Sequence, residues 1–182
     1  MTTDLAVITD RTTLTFVRHL PGPIERVWAY LTNPAYLATW FSDGVVADRI
    51  GGEARFEMGA WGSITAYEPP HVFEYTWNEQ KSSHGAVADA IVRWELADDG
   101  GGVRLTLTHS RLPEIEVWAH GAGWHTFLQR LIACVDGRAP EPIGELYARF
   151  KAVYVTAVQS AGLVLPPLAL HGSHELPQQH EG

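Results

Sequence analysis

The spacing of apolar positions along this chain changes character twice. From Thr12 to Leu20 the run TTLTFVRHL mixes β-branched and apolar residues and reads as a strand, which PGP then breaks. Pro23 is placed to open a helix through IERVWAYL, with Val27, Trp28 and Leu31 on one face. TNP stops and restarts the chain, PAYLATWF reads as a second short helix, and SDG ends it. The period then drops to two. VVADRI, EARFEM, WGSITAYE, VFEYTWNE, AIVRWELA and VRLTLTH read as strands. The Gly51-Gly52 turn, Pro69-Pro70, the polar loop QKSSHGA and the hairpin turn DDGGG separate them. Ala54, Phe56 and Met58 share one face, and Phe73, Tyr75 and Trp77 oppose Glu74, Thr76 and Asn78. Val92, Trp94 and Leu96 form a third apolar row, and Val103, Leu105, Leu107 and His109 a fourth. Such alternation belongs to an antiparallel sheet that is wet on one side.

The period returns to helical at GAGWHTFLQRLIACVDG, Gly121 to Gly137. Trp124, Phe127, Leu128, Leu131, Ile132 and Val135 make a wide apolar stripe. His125, Gln129, Arg130 and Asp136 fall mostly opposite, so His125 and Arg130 are expected to face outward, and Gly137 is a natural C-cap. A curved sheet with a dry concave face needs a cover, and this helix is the candidate. After RAPEP, the segment from Ile143 to Gly162 is a further amphipathic helix, which packs on this domain or makes a homodimer with a second copy. The Pro- and His-bearing remainder reads as an extended tail. The expected organisation is an N-terminal segment (1–11), one α+β domain (12–137), an additional helix (138–162) and a flexible tail (163–182).

Composition narrows the function classes. A chain of 182 residues suits one domain that needs no disulfide or metal to fold. A net charge of −8 repels phosphate backbones and anionic membranes, so neither nucleic acid nor a membrane surface is an expected partner. The one cysteine, Cys134, reads as a buried inert thiol. MTTDLAVITD has no basic n-region, and no run approaches the ~18 apolar residues that span a bilayer, so a cytoplasmic location is expected.

Together, PGPIERVWAYLTNPAYLATWF, GGEARFEM, GSITAYEPPHVFEYTW, VRWELADDGGGVRLTLTH and HGAGWHTFLQRL resemble successive blocks of the activator-of-heat-shock-ATPase homologue family. That family belongs to the START-like, or SRPBCC, superfamily with its helix-grip fold. The resemblance runs from about Thr12 to Gly137 and leaves the last helix and tail outside it. It implies an antiparallel sheet of about seven strands gripping a long helix, with a cavity between them. Members of the superfamily bind lipids, sterols, polyketides and other apolar molecules, and some catalyse cyclisation or dehydration. The eukaryotic chaperone activators carry an added N-terminal domain for which this chain has no room, which counts against a co-chaperone role.

Trp40, Phe56, Tyr75, Trp77, Trp94, His109, Trp124 and Leu128 are the candidate cavity lining, with core filling as the alternative. Seven Trp in one chain leave both readings open. His109 is the one weak catalytic candidate. With His120 it could do general acid–base work; the plainer alternative is a strand-end His and a helix-cap His. No cofactor or metal is expected: the Gly-rich turns lack a phosphate-loop pattern, no His pair has helical zinc spacing, and the tail histidines His171, His174 and His180 suit only adventitious metal. Glu114 and Glu116 flank the cavity mouth or, more simply, sit in a solvated loop; Arg18 reads as a surface ion pair. Three functions remain: a carrier of a small apolar or amphipathic ligand, a cyclase- or dehydratase-type enzyme, and a chaperone-associated interaction protein with a filled core that docks or dimerises through the helix from Ile143 to Gly162.

Overall fold

The structure, a computed structural model, describes residues 5–163. Its strands are β1 (Val7–Thr9), β2 (Thr13–Pro21), β3 (Gly44–Val46), β4 (Glu53–Phe56), β5 (Ala60–Glu68), β6 (Val72–Ser82), β7 (Gly85–Asp99) and β8 (Gly102–Ser110). They form one antiparallel sheet in the order β1-β2-β8-β7-β6-β5-β4-β3. The helices are α1 (Ile24–Thr32), α2 (Pro34–Trp40), α3 (Val117–Val135) and α4 (Ile143–Ser160). The last strand lies beside the long early one, with Leu14 opposite His109 and Phe16 opposite Leu107. Register shifts between β5 and β6 and twice between β6 and β7 mark bulges, which bend a sheet.

Local chemistry accounts for the helix ends. The Asn33 side chain accepts from the Ala35 N–H at 2.9 Å, and Pro34 opens α2. Gly137, at φ +73°, closes α3: its N–H donates to the Cys134 carbonyl and the Arg138 N–H to that of Ala133, the Schellman pattern.

The sheet has one strand more than the seven or so expected. The additional strand, β1, comes from the segment read as a lead-in and folds back on β2 through Asp10 and Arg11, both at positive φ. QKSSHGA is not a loop but the end of a long hairpin, because β6 runs on to Ser82 and β7 starts at Gly85. Only Gly44–Val46 of VVADRI is strand, and Met58 is exposed beyond the end of β4. The tail from residue 164 on, with its three histidines, lies outside the described residues.

The largest departure concerns α3. It begins at Val117, and it is covered on two sides. Trp124, Leu128, Leu131 and Val135 are buried in its expected apolar stripe. Leu146, Phe150, Tyr154 and Val158 of α4 are buried as well, packing that helix on α3. His125, expected outward, is therefore buried: its ring stacks on Phe150 with centroids 3.8 Å apart, and its Nδ1 lies 3.3 Å from the Tyr154 hydroxyl. That hydroxyl also accepts the Ala6 N–H at 2.9 Å. Arg130 donates to the Thr39 and Trp40 carbonyls at 3.1 and 3.0 Å, a cation on the C-terminal end of α2. Arg18, read as a surface ion pair, is 5% exposed on the inner face of β2, its guanidinium 5.5 Å from the Phe16 ring centre. Cys134 is half-buried, its sulfur 3.8 Å from the Thr39 carbonyl oxygen. The two ends of the described chain meet: Arg11 pairs with Glu114 and donates to the Gly162 carbonyl at 3.3 Å. No helix among the described residues is long and apolar enough to cross a membrane.

Two predictions follow from the packing of α3. A Cβ on Gly121 would lie 2.5 Å from the Tyr154 ring, whereas one on Gly123 meets nothing within 4 Å. Gly121→Ala should lower unfolding free energy by about 1–3 kcal/mol through overpacking, and Gly123→Ala should raise it by about 1 kcal/mol through helix propensity. Urea melts of the two variants check both signs. The second concerns acid. Burial, then the Arg18 charge, hold the His125 pKa down to about 4 from its usual 6.5. The unfolded chain then binds the proton more readily than the native one, so this contribution is complete above about pH 6.5 and lost as pH falls towards 4. The thermal midpoint should drop over that window, and the drop should shrink in His125→Phe.

Candidate functional site

Period-two alternation on the central strands and helical spacing on α3 converge on the hollow of the sheet. β6 supplies Phe73, Tyr75 and Trp77, β7 supplies Trp94, β8 supplies His109 and β4 supplies Phe56. Trp40 and Phe41 enter from the end of α2, and Trp124 and Leu128 from α3. All eight expected lining residues are buried, and all but His109 belong to one apolar core. Their rings meet one another. Trp124 stands 5.4 Å from Trp77 and 5.6 Å from Trp94, and Trp94 stands 6.1 Å from Trp40. Phe56 touches both Tyr75 and Trp77, at 5.7 and 5.9 Å. A void of about 10 Å³ remains among Leu31, Trp40, Phe41, Phe73, Tyr75, Trp94 and their neighbours, room for at most one water. Burial pushes the Tyr75 phenol pKa up, so that group stays protonated.

One end of this aromatic body is polar. The Trp124 indole N–H donates to His109 Nδ1 at 2.8 Å. An indole nitrogen only donates, so Nδ1 holds the lone pair, and the neutral ring carries its proton on Nε2. That Nε2 is buried and has no hydrogen-bond partner. Burial first, then the His120 charge, hold the His109 pKa well below the usual histidine range, which keeps the ring neutral. The His120 ring stands edge-on to that of His109 with centroids 5.1 Å apart.

Two carboxylates complete the polar end. Glu79 Oε1 accepts the Trp77 indole N–H at 3.0 Å, and its Oε2 lies 3.7 Å from His120 Nε2. Burial alone would raise the Glu79 pKa; hydrogen bonding and charge from His120, with Ser82 and Trp77, outweigh it and hold it below its usual value. Glu116, read as part of a solvated loop, is 1% exposed. Its carboxylate accepts the Ser82 hydroxyl at 2.8 Å and the His84 backbone N–H at 2.5 Å, fastening the tip of the β6–β7 hairpin to the start of α3. Two further buried atoms, His84 Nδ1 and Trp118 Nε1, make no hydrogen bond, although His84 Nδ1 lies 3.6 Å from Glu116 Oε1. Among the described residues no three His, Cys, Asp or Glu side chains are grouped to hold a metal ion.

The sequence singled out His109 and His120, and the structure brings them together. Glu79 and the burial of Glu116 escaped it. Glu79 had a signal, because it continues the inward row Phe73, Tyr75, Trp77. Phe41, read only as the end of the PAYLATWF helix and family block, lies just past α2, and its ring stacks on Trp124 at 5.4 Å. The tautomer is open to test. Long-range ¹H–¹⁵N correlation should show His109 protonated at Nε2 alone; Trp124→Phe should mix the tautomers and cost about 1–3 kcal/mol of stability. A native Nδ1–H pattern would refute the assignment.

Known proteins place this architecture. A protein encoded by gene BPP1335 of Bordetella parapertussis is 28% identical, with 93% of each chain covered and a TM-score of 0.70. CalU16 of Micromonospora echinospora is 24% identical over 80% of this chain and 88% of its own, with a TM-score of 0.67. A subunit of the Aha1 dimer of Colwellia psychrerythraea shares the fold at 19% identity, covering 68% of this chain and 95% of its own, with a TM-score of 0.57. No curated protein matches the chain significantly. The Activator of Hsp90 ATPase homolog 1-like family profile matches residues 21–136, from the end of β2 to the end of α3 and well over half the chain. With the gripped helix, the curved antiparallel sheet and this match in hand, the chain belongs to the Activator of Hsp90 ATPase homolog 1-like family, within the START-like group.

Proposed function

We propose that this protein binds a small, largely apolar molecule bearing an acceptor oxygen, in the hollow between sheet and α3. The observation that carries the reading is the unpaired His109 N–H. An unsatisfied buried donor costs about 1–3 kcal/mol, and a hydrophobic side chain at that position would avoid the cost. A carbonyl, ether or phenolate oxygen would satisfy it, while Trp77, Trp94 and Trp124 would take the apolar body. The rings fill the hollow, so entry requires them to part. The cytoplasmic setting expected from the sequence belongs to the same proposal.

A ketone and its parent hydrocarbon test the reading. 1-Tetralone should quench the tryptophan fluorescence saturably, and Trp77→Ala and Trp124→Ala should abolish that. His109→Phe should weaken 1-tetralone about tenfold, the equivalent of ~1.4 kcal/mol, and leave tetralin binding unchanged. Native mass spectrometry of protein purified from its own host should show a retained small molecule. No quenching by these compounds, by fatty acids or by sterols, together with a bare mass, would reject the carrier.

A second reading has its own observation. Leu5, Ala152, Val153, Thr156 and Ala157 line a shallow groove on the free side of α4, fit for the same helix of a second copy. The Colwellia relative is a dimer. Light scattering after size exclusion should then show twice the chain mass, reverting to one in Ala157→Glu.

A further inference from the structure

We propose that the tip of the β6–β7 hairpin is a hinged flap, latched by Glu116, through which a ligand reaches the polar end of the hollow. This rests on the ligand-binding reading above and adds to it the route of entry and the side chains that control it.

The sheet releases this hairpin before the hairpin ends. β5 last pairs with β6 at Ala60 and Glu79, and β8 last pairs with β7 at Ser110 and Ile91. Residues 80–89 therefore run on as a two-stranded arm, with no third strand on either side among the described residues. Two strands alone are only marginally stable in water. The ladder is also interrupted at the base of the arm. Register shifts fall between Trp77 and Glu79 and between Glu79 and Ser82. Across from them Asp89 takes φ +54°, in the left-handed region that side chains rarely adopt, and its N–H donates to the Asn78 side-chain oxygen at 3.0 Å. Irregularities of this kind bend a strand pair, and a hinge needs only a few such positions.

Little apolar packing holds the arm down. Of residues 80–89 only Val87 is buried in the apolar core. The polar hold is one carboxylate. Glu116, just before α3, accepts the Ser82 hydroxyl at 2.8 Å and the His84 N–H at 2.5 Å. Ser82 faces Glu79 as well. The His84 ring packs 5.7 Å from that of Trp118, yet its Nδ1 is buried without a hydrogen bond. A buried polar atom left unpaired raises the free energy of the closed arm and regains water when the arm lifts. Charge-assisted bonds thus close the arm at one point, and an unpaired atom opposes closure at the next. Such a balance suits a segment that opens locally while the body of the sheet stays folded.

Behind the arm lies the polar end of the hollow. Glu79 Oε2 is 3.7 Å from His120 Nε2, and the His120 ring is 5.1 Å from that of His109. The Glu79 and His120 side chains keep 16% and 8% of their surface exposed, whereas His109 keeps none, so solvent comes closest to this end beside the arm. A molecule entering here goes in apolar end first, towards Trp77 and Trp124, and leaves its oxygen at the His109 N–H near the mouth.

The His84 amide reports the latch directly, because Glu116 is its acceptor. In the full-length protein, NMR hydrogen exchange at His84 should quicken about tenfold in Ser82→Ala, since a hydrogen bond to a charged group is worth about that factor or more. The Leu105 amide of β8 should exchange as in wild type. Stopped-flow tryptophan fluorescence with 1-tetralone should show association and dissociation both faster by the same factor, with the Kd unchanged. A merely structural role would lower protection at Leu105 or speed dissociation alone. Glu116→Ala should speed both steps at least as much, and should it fail to fold, Ser82→Ala decides. If 1-tetralone binds wild type and its two rates are the same in Ser82→Ala, the flap is overturned and the carrier stands. If 1-tetralone does not bind wild type, both are overturned.

Discussion

The indole N–H of Trp124 meets His109 Nδ1 in the middle of the molecule, and much of the interior is arranged around that contact. It joins the long helix to an inner strand of the sheet, so the depth at which α3 sits is set by a directional bond as well as by packing. It decides which nitrogen of His109 carries the proton. It also brings the Trp124 ring against Trp77, Trp94 and Phe41, the rings that fill the hollow. A single neutral hydrogen bond contributes only about 1 kcal/mol net, but here its loss would leave both partners buried and unsatisfied.

Two kinds of interior meet at this bond. On one side is an aromatic body with almost no free volume, which could be replaced by other hydrophobic side chains at modest cost. On the other are two histidines and two glutamates, the kind of set that well-packed apolar residues would commonly equal or better in stability. The polar set also fastens the β6–β7 tip to α3 through Glu116. The interior therefore forgoes stability at the end where polar chemistry collects, a pattern common to sites that handle a substrate or a partner.

The helix-grip architecture was legible because it rests on local pattern. Alternation at Phe73-Tyr75-Trp77 and Val92-Trp94-Leu96 placed the inner faces of β6 and β7, and Gly137 marked the end of α3. What escaped was long-range. The polar face of α3 looked solvated because nothing in the α3 sequence announces that α4 folds back over it, and so His125 was misplaced. Arg18 sits among apolar neighbours where charge alone suggests a surface. Glu116 looked like loop because a buried carboxylate is legible only when its donors, Ser82 and the His84 N–H, arrive from a hairpin more than thirty residues away. The ring-lined hollow was legible as a set of residues, whereas how closely they would pack depends on side-chain volumes that a pattern of polar and apolar letters does not carry.

The meeting of the two ends of the described chain has a practical side. Ala6 is bonded to Tyr154 on α4, and Arg11 reaches the carbonyl of Gly162 just beyond that helix. The first and last described segments therefore lie on one flank. A unit bounded at residues 5 and 163, whose ends adjoin, can be spliced into a surface loop of a host protein, or have those ends joined and be reopened at another turn such as DDGGG, with little change in chain path. The fold thus lends itself to use as an insert, with its gripped helix left intact.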